Sequence, residues 1–195
     1  FAVAAVVSAA APLFILVMFV NLCPASVWHI ASLVVFGSGD SDNGRSLSLY
    51  HIPVDPPYWH GRFSNGPAWD EYLAYNLHLI PNPAKHPNYN KHKFFLAYAY
   101  YFATATREYS SDGAHLMTFD DEINQYRNDS KPFPANTLAV IDIGENDLFN
   151  PQCSKQPMQC LTAILNAEKQ GMMRLCKMRV KHFLVMTPAD QEELP

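Results

Sequence analysis

The chain has 195 residues, 49% of them hydrophobic and 16% charged, the balance of one globular domain or one domain with a leader. Its 14 Lys and Arg against 18 Asp and Glu leave a net charge of -4, which argues against the basic footprint of a nucleic-acid binder. Fifteen prolines and ten tyrosines point to many ordered loops rather than a coiled coil or helical bundle, and four cysteines are too few for a disulfide scaffold.

The first charged residue is Asp40. Phe1 to Leu22 reads as an apolar stretch, and residues 1–25 are expected to be a signal peptide or a membrane anchor. A signal needs a short apolar core and a small-residue cleavage site. Cys23 and Ala25 supply that site, while an anchor needs roughly 20 apolar residues. Pro12, Asn21 and Pro24 favour the signal and therefore a secreted protein. The chain starts with Phe and lacks a basic first region, so the reading expects a truncated front. Export agrees with the glycosylation pattern Asn128-Asp129-Ser130. It also agrees with Cys153 and Cys160, which could pair in an oxidising compartment; the alternative is that both, like Cys176, are buried thiols. No CxxC pair and no zinc-type Cys/His spacing is present.

In chain order, Ile30–Gly37 is a short run of branched apolar residues ending at glycine, the pattern of a buried parallel strand. A dense turn signal follows over 37–44, then a Pro-rich loop from His51 to Arg62. A helix is expected after Asn65-Gly66, with Pro67 at its first position, Asp70 and Glu71 in its first turn, and Trp69, Leu73 and Leu77 as its buried stripe. Phe94–Ala105 reads as a second strand. Phe119–Tyr126 reads as a helix capped by Thr118. Thr137–Gly144 is a third strand, Met158–Lys177 a helix weakened or bent at Gly171, and Lys181–Thr187 a fourth strand. Strands alternating with helices mean an α/β fold with a parallel sheet, whose site lies at the carboxyl ends of the strands.

Two turns at those ends carry specific motifs: Val34-Val-Phe-Gly-Ser-Gly-Asp-Ser-Asp-Asn-Gly44 and Ile143-Gly-Glu-Asn-Asp147. Together with Pro57–Ala74, which contains Gly61-Arg-Phe-Ser-Asn-Gly-Pro67, they resemble the GDSL/SGNH family of serine ester hydrolases. The resemblance runs from about Leu33 to Pro195, and is greatest to the secreted fungal-type lipase and acetylesterase branch (carbohydrate esterase family sixteen). It implies a flavodoxin-like three-layer α/β/α domain over about residues 30–195, with the last strand and helix of that fold beyond Pro195. A sheet edge is then expected to lie uncovered. It further implies an ester or acetylated-carbohydrate substrate, no cofactor and no metal, no nucleic-acid partner, and no membrane attachment once a signal is cleaved.

A serine hydroxyl is a weak nucleophile and needs a base within reach. The tetrahedral intermediate needs donors aimed at its oxyanion. The family supplies a serine after the first strand, a glycine N–H after the second, the Asn of Gly-x-Asn-Asp, and a late Asp-x-x-His. Here three of those four blocks are altered. In the gapless register Ser38 and Gly39 stand where the family has Asp and the nucleophile. A shifted register takes Gly39-Asp40-Ser41 as the triplet and makes Ser41 the nucleophile. Tyr101 and Phe102 replace the two glycines after the second strand, where side chains should crowd the oxyanion hole or fill the substrate pocket. No Asp-x-x-His occurs. Gly144 and Asn146 remain as oxyanion-loop residues, and Asp147 reads as a cap or loop anchor. His60, in a loop expected near the site, is the one histidine considered as a substitute base. Tyr58, Trp59, Phe63 and Trp69 either line a carbohydrate or acyl pocket or simply pack. The expectation is therefore an ester-hydrolase domain inactive in this form, the alternatives being a non-catalytic binding relative or a gene fragment.

Overall fold

The computed structural model describes residues 3–6, 17–21, 29–86, 94–109, 116–129 and 134–187, with side chains from residue 29 onward. The core of the fold is a sheet of four parallel strands. β3 (Ser32–Gly37), β4 (Phe95–Ala97), β5 (Thr137–Asp142) and β6 (His182–Val185) lie in the order β6-β5-β3-β4. The first two strands of the chain, β1 (Val3–Val6) and β2 (Val17–Asn21), extend the sheet. β2 pairs antiparallel with β6, and β1 with β2.

β3 and β5 are buried along their length because both faces are covered. Side chains alternate between faces along a strand. Val34, Phe36, Ala139, Ile141 and Phe183 pack on one side with Phe119, Ile123, Tyr126, Ile164 and Leu175. These partners come from α3 (Phe119–Asp129) and α6 (Pro157–Lys177). Leu33, Val35, Leu138, Val140 and Leu184 pack on the other side with Ala74, Ile80 and Phe95, Ala74 belonging to α2 (Trp69–Asn76). The result is the three-layer α/β arrangement. Each fully buried large side chain in these layers contributes roughly 1.5–3 kcal/mol.

The shorter helices sit at loop ends: a 3₁₀ turn (Gly39–Ser41), α1 (Arg45–Tyr50), α4 (Glu145–Leu148) and α5 (Pro151–Lys155). From β3 the chain crosses to β4 on one side, then returns to β5 on the other. The sheet order therefore reverses beside β3. Such a switch point opens a crevice outside the carboxyl ends of the strands, here between the turns that follow β3 and β5.

Several local expectations need correction. The second strand is only Phe95–Ala97. The N–H groups of Tyr98 and Tyr100 still bond to Val35 and Gly37 at 2.7 and 3.0 Å, but the chain then turns away through Phe102, whose φ is +58°. α2 begins at Trp69, after Pro67. Its most buried residues are Asp70, Glu71 and Ala74, while Trp69 and Leu73 are only partly covered against the core. Gly171 does not interrupt α6. A Cβ there would lie 2.1 Å from Cε1 of Phe119, so the glycine is what lets α3 and α6 pack closely.

The edge of β6 is not open, because β2 pairs along it. This matters because an unpaired edge invites association. Most of the apolar leader, including Cys23 and Ala25, lies outside the described residues, as do Ser130 and residues 188–195. No helix among the described residues is long and apolar enough to cross a membrane. Cys153 and Cys160 form a disulfide with Cα atoms 5.2 Å apart, tying α5 to the first turn of α6. Cys176 remains a thiol.

Candidate active site

The turn after β3 is built by Asp42. Its carboxylate accepts from the N–H groups of Gly44, Arg45 and Ser46 at 2.9, 2.8 and 3.1 Å, holding the start of α1. Burial pushes its pKa up, against the pull of the Ser46 hydroxyl and those N–H groups. Ser41 lies fully buried in the same turn. Its hydroxyl donates to Asp142 at the end of β5, 2.5 Å away, and accepts from Trp69 Nε1 at 3.0 Å. This chain of bonds spans the switch point and ties three elements together. Neither of these partners of Ser41 is a histidine.

Gly39 is the position that the gapless register assigns to the nucleophile. A Cβ built there would lie 3.0 Å from Cδ2 of Tyr101 and 3.9 Å from Cδ2 of Phe63. Tyr101 is stacked on Phe63 with centroids 4.0 Å apart and 17° between planes, and Phe102 leans on Tyr101 at 3.9 Å. The Tyr101 N–H is spent on Ser46 Oγ at 2.8 Å and Asp42 at 3.3 Å. In the gapless register the two departures meet in space: the Tyr101 ring occupies the room beside Gly39. The positive φ of Phe102 is the backbone conformation a glycine adopts without strain.

After β5, Gly144 has φ +108° and starts α4. Asn146 donates to the carbonyl of Ala103 at 2.8 Å. Asp147 is fully buried and accepts from Ala105 N, Thr106 N and Thr106 Oγ1 at 2.7, 3.0 and 3.0 Å. The Gly-Glu-Asn-Asp turn thus clamps the chain that follows Phe102. Asp147 anchors that loop, as its sequence context suggested.

The Gly61–Pro67 motif closes the crevice from the α2 side. Arg62 is 2% exposed and Glu71 0%. The guanidinium donates to the carboxylate at 2.6 and 3.3 Å and to the His60 carbonyl at 2.7 Å. It also lies 5.1 Å from the centroid of Trp59. Glu71 in turn accepts from the N–H of Ala68, capping α2. A buried pair of this kind fixes geometry more than it adds net stability. His60 points elsewhere: its Nδ1 lies 3.3 Å from Asp55. Phe63 and Trp69 do line a cavity of about 270 Å³, together with Gly39, Asp40, Asp42, Arg62, Ser64, Pro67 and Ala68. Tyr58 meets Phe63 edge-on at 5.8 Å, and Trp59 holds Arg62.

Further carboxyls near the site were given no site role by the sequence reading. Glu122 of α3 is fully buried and accepts from Gly37 N at 2.9 Å. Asp70 is fully buried, and its Oδ2 has no hydrogen-bond partner. Asp142 stands at the switch point. Burial pushes all three pKa values upward, for Asp70 reinforced by Glu71 and Asp142, and for Asp142 by Asp40. Asp142 was legible only as the end of a strand and Asp70 only as a helix-dipole residue, while the bond of Glu122 to Gly37 comes from a distant element. Among the described residues, no group of three or more His, Cys, Asp or Glu is arranged to hold a metal ion.

The chain also has relatives. Over 173 residues it is 26% identical to the Thermolabile hemolysin of Vibrio parahaemolyticus serotype O3:K6 (strain RIMD 2210633), covering 86% of this chain and 36% of that protein. Over 44 residues it is 49% identical to the Phosphatidylcholine-sterol acyltransferase of Aeromonas hydrophila, covering 22% of this chain and 13% of that protein. The chain thus spans about a third or less of the length of these relatives. The sequence model of the GDSL-like Lipase/Acylhydrolase family matches residues 33–195, which takes in the whole parallel sheet, the cavity and the Gly-Glu-Asn-Asp turn. The chain belongs to the GDSL-like lipase/acylhydrolase family.

Proposed function

We propose that this chain keeps the ester-hydrolase fold as a ligand-binding domain and does not itself turn over an ester. The observation that carries the reading is Gly39 with the Tyr101 ring 3.0 Å from where a side chain would begin. An acyl-enzyme needs a hydroxyl there and a base beside it; position 39 is a glycine, and among the described residues no histidine is bonded to Ser41. Ser38 and Ser41 are the nearest hydroxyls in the sequence, Ser38 buried in the turn and Ser41 the candidate of the shifted register. Ser41 is fully buried and bonded to Asp142 and Trp69, an arrangement that suits a structural serine. The ligands of such a binder would be esters, such as acetylated carbohydrates or the phosphatidylcholine in the name of one bacterial relative. We place the protein outside the reducing cytosol, because the Cys153–Cys160 disulfide persists in oxidising compartments.

The test is hydrolysis of 4-nitrophenyl acetate by the purified chain and by Ser41→Ala. Both should run at the buffer rate. A rate well above buffer that Ser41→Ala abolishes would overturn the proposal and install Ser41 as the nucleophile.

A further inference from the structure

The cavity beside Gly39 combines two features that select one kind of ligand. Its walls include the rings of Phe63 and Trp69, and its rim carries the exposed carboxylate of Asp40. Phe63 is held in place by its stack on Tyr101, so the ring surface is formed before any ligand arrives. The one cationic side chain in the lining, Arg62, has its guanidinium on Glu71. An exposed carboxylate at the rim repels anions. An acyl chain gains nothing from Asp40 and Ser64 in its wall.

An organic cation gains from both features. A positive charge is attracted to the face of an aromatic ring, by about 0.5–1 kcal/mol when exposed and 2 or more when desolvated. The Asp40 carboxylate adds a Coulomb term. The fold already seats one cation on a ring at this cavity: the guanidinium carbon of Arg62, a lining residue, lies 5.1 Å from the Trp59 centroid.

We propose that the cavity lined by Phe63, Trp69 and Asp40 binds a quaternary or tertiary ammonium group. The proposal rests on reading this face as a ligand site, and it goes further by naming the ligand's chemistry. Tyr101 contributes by stiffening the wall, so the site belongs to the residues in which this chain departs from its family's pattern.

The experiment titrates the full chain with choline, following tryptophan fluorescence and calorimetry. A parallel titration uses 3,3-dimethylbutan-1-ol, the neutral isostere in which carbon replaces the ammonium nitrogen. A third uses methyl glucoside. Choline should saturate, and the isostere should bind about tenfold more weakly. Asp40→Asn, on an exposed residue, should leave the unfolding midpoint in place and weaken choline about fivefold or more. Sedimentation with phosphocholine vesicles separates sources: co-sedimentation that free choline competes away assigns the ammonium to a lipid headgroup, and its absence alongside choline saturation assigns it to a soluble ligand. Equal binding of choline and the isostere, binding of the glucoside alone, failure of choline to saturate, or indifference to Asp40→Asn would each overturn the proposal. Ester hydrolysis is measured on the same sample. Turnover would refute the non-catalytic reading separately, and absence of turnover with absence of choline binding refutes only the ammonium site.

Discussion

Glu168 offers a test of the packing around the Gly-Glu-Asn-Asp turn. It lies on α6, is 7% exposed, and its pKa is pushed up to about 7 from 4.5, first by burial and then by the neighbouring Asp147. A carboxyl whose folded pKa lies above its unfolded pKa binds more protons when folded. Stability therefore falls as pH rises between the two values. Below about pH 4.5 the residue costs nothing. Between 4.5 and 7 the cost grows, and above 7 it is complete. The shift from 4.5 to about 7 corresponds to about 3 kcal/mol at most. Water entry and relaxation around the ionised group reduce that figure, and its coupling to Asp147 spreads the titration over the pair. Glu168→Gln removes the titration while keeping shape and polarity. Urea unfolding of both proteins at pH 5 and pH 8 isolates the term, because the other buried carboxyls are common to both. The variant should gain about 2–3 kcal/mol over the parent at pH 8 and much less at pH 5. If the gap between the two proteins is the same at both pH values, Glu168 is not buried beside Asp147 as described, and the reasoning fails.

Two further outcomes follow from packing. Gly171→Ala places a Cβ 2.1 Å from the Phe119 ring and should cost about 1–3 kcal/mol in chemical denaturation; adding Phe119→Leu should recover part of the loss, and no loss at all would mean that α3 and α6 are not in that contact. Arg62→Met leaves Glu71 buried without its cation, at a cost of about 3–5 kcal/mol, whereas Arg62→Met with Glu71→Leu should be milder than the single change. An additive double mutant, read by the same unfolding curves, would contradict the pairing.

Much of the scaffold was legible because its signals are local. β3 and β5 are runs of branched apolar residues buried on both faces, and they announced a parallel sheet. Thr118 and Asp121 exchange bonds at the start of α3, with the Thr118 N–H to the carboxylate at 3.0 Å, which is why that helix start could be read. The second strand was overextended because Tyr98–Ala105 is rich in aromatic and small residues that suit a strand. Its course is decided instead by the left-handed turn at Phe102 and by the bonds from Asp147, 41 and 42 residues away in sequence. Asp70 and Glu71 read as helix-dipole residues in the first turn. Their burial depends on Arg62 and on the α2 docking angle, which no local pattern encodes. Gly171 read as a helix weakness because its partner, Phe119, is on another element.

At the site, the order of the motifs placed Gly39, Ser41, Asn146 and Asp147 at the right end of the sheet. What the motifs did not give was the division of labour. Asn146 turns to a backbone carbonyl, Ser41 to Asp142, and the Tyr101 ring to the space over Gly39. These are tertiary choices set by side chains that share no sequence neighbourhood.

If no reactive hydroxyl stands at the nucleophile position, a reagent for activated serines finds nothing to bond there. The most direct measurement is the intact mass of the chain after incubation with a fluorophosphonate, which bonds covalently to activated serines. The expected mass is unchanged. A single stoichiometric adduct mapped to Ser41 would contradict that expectation.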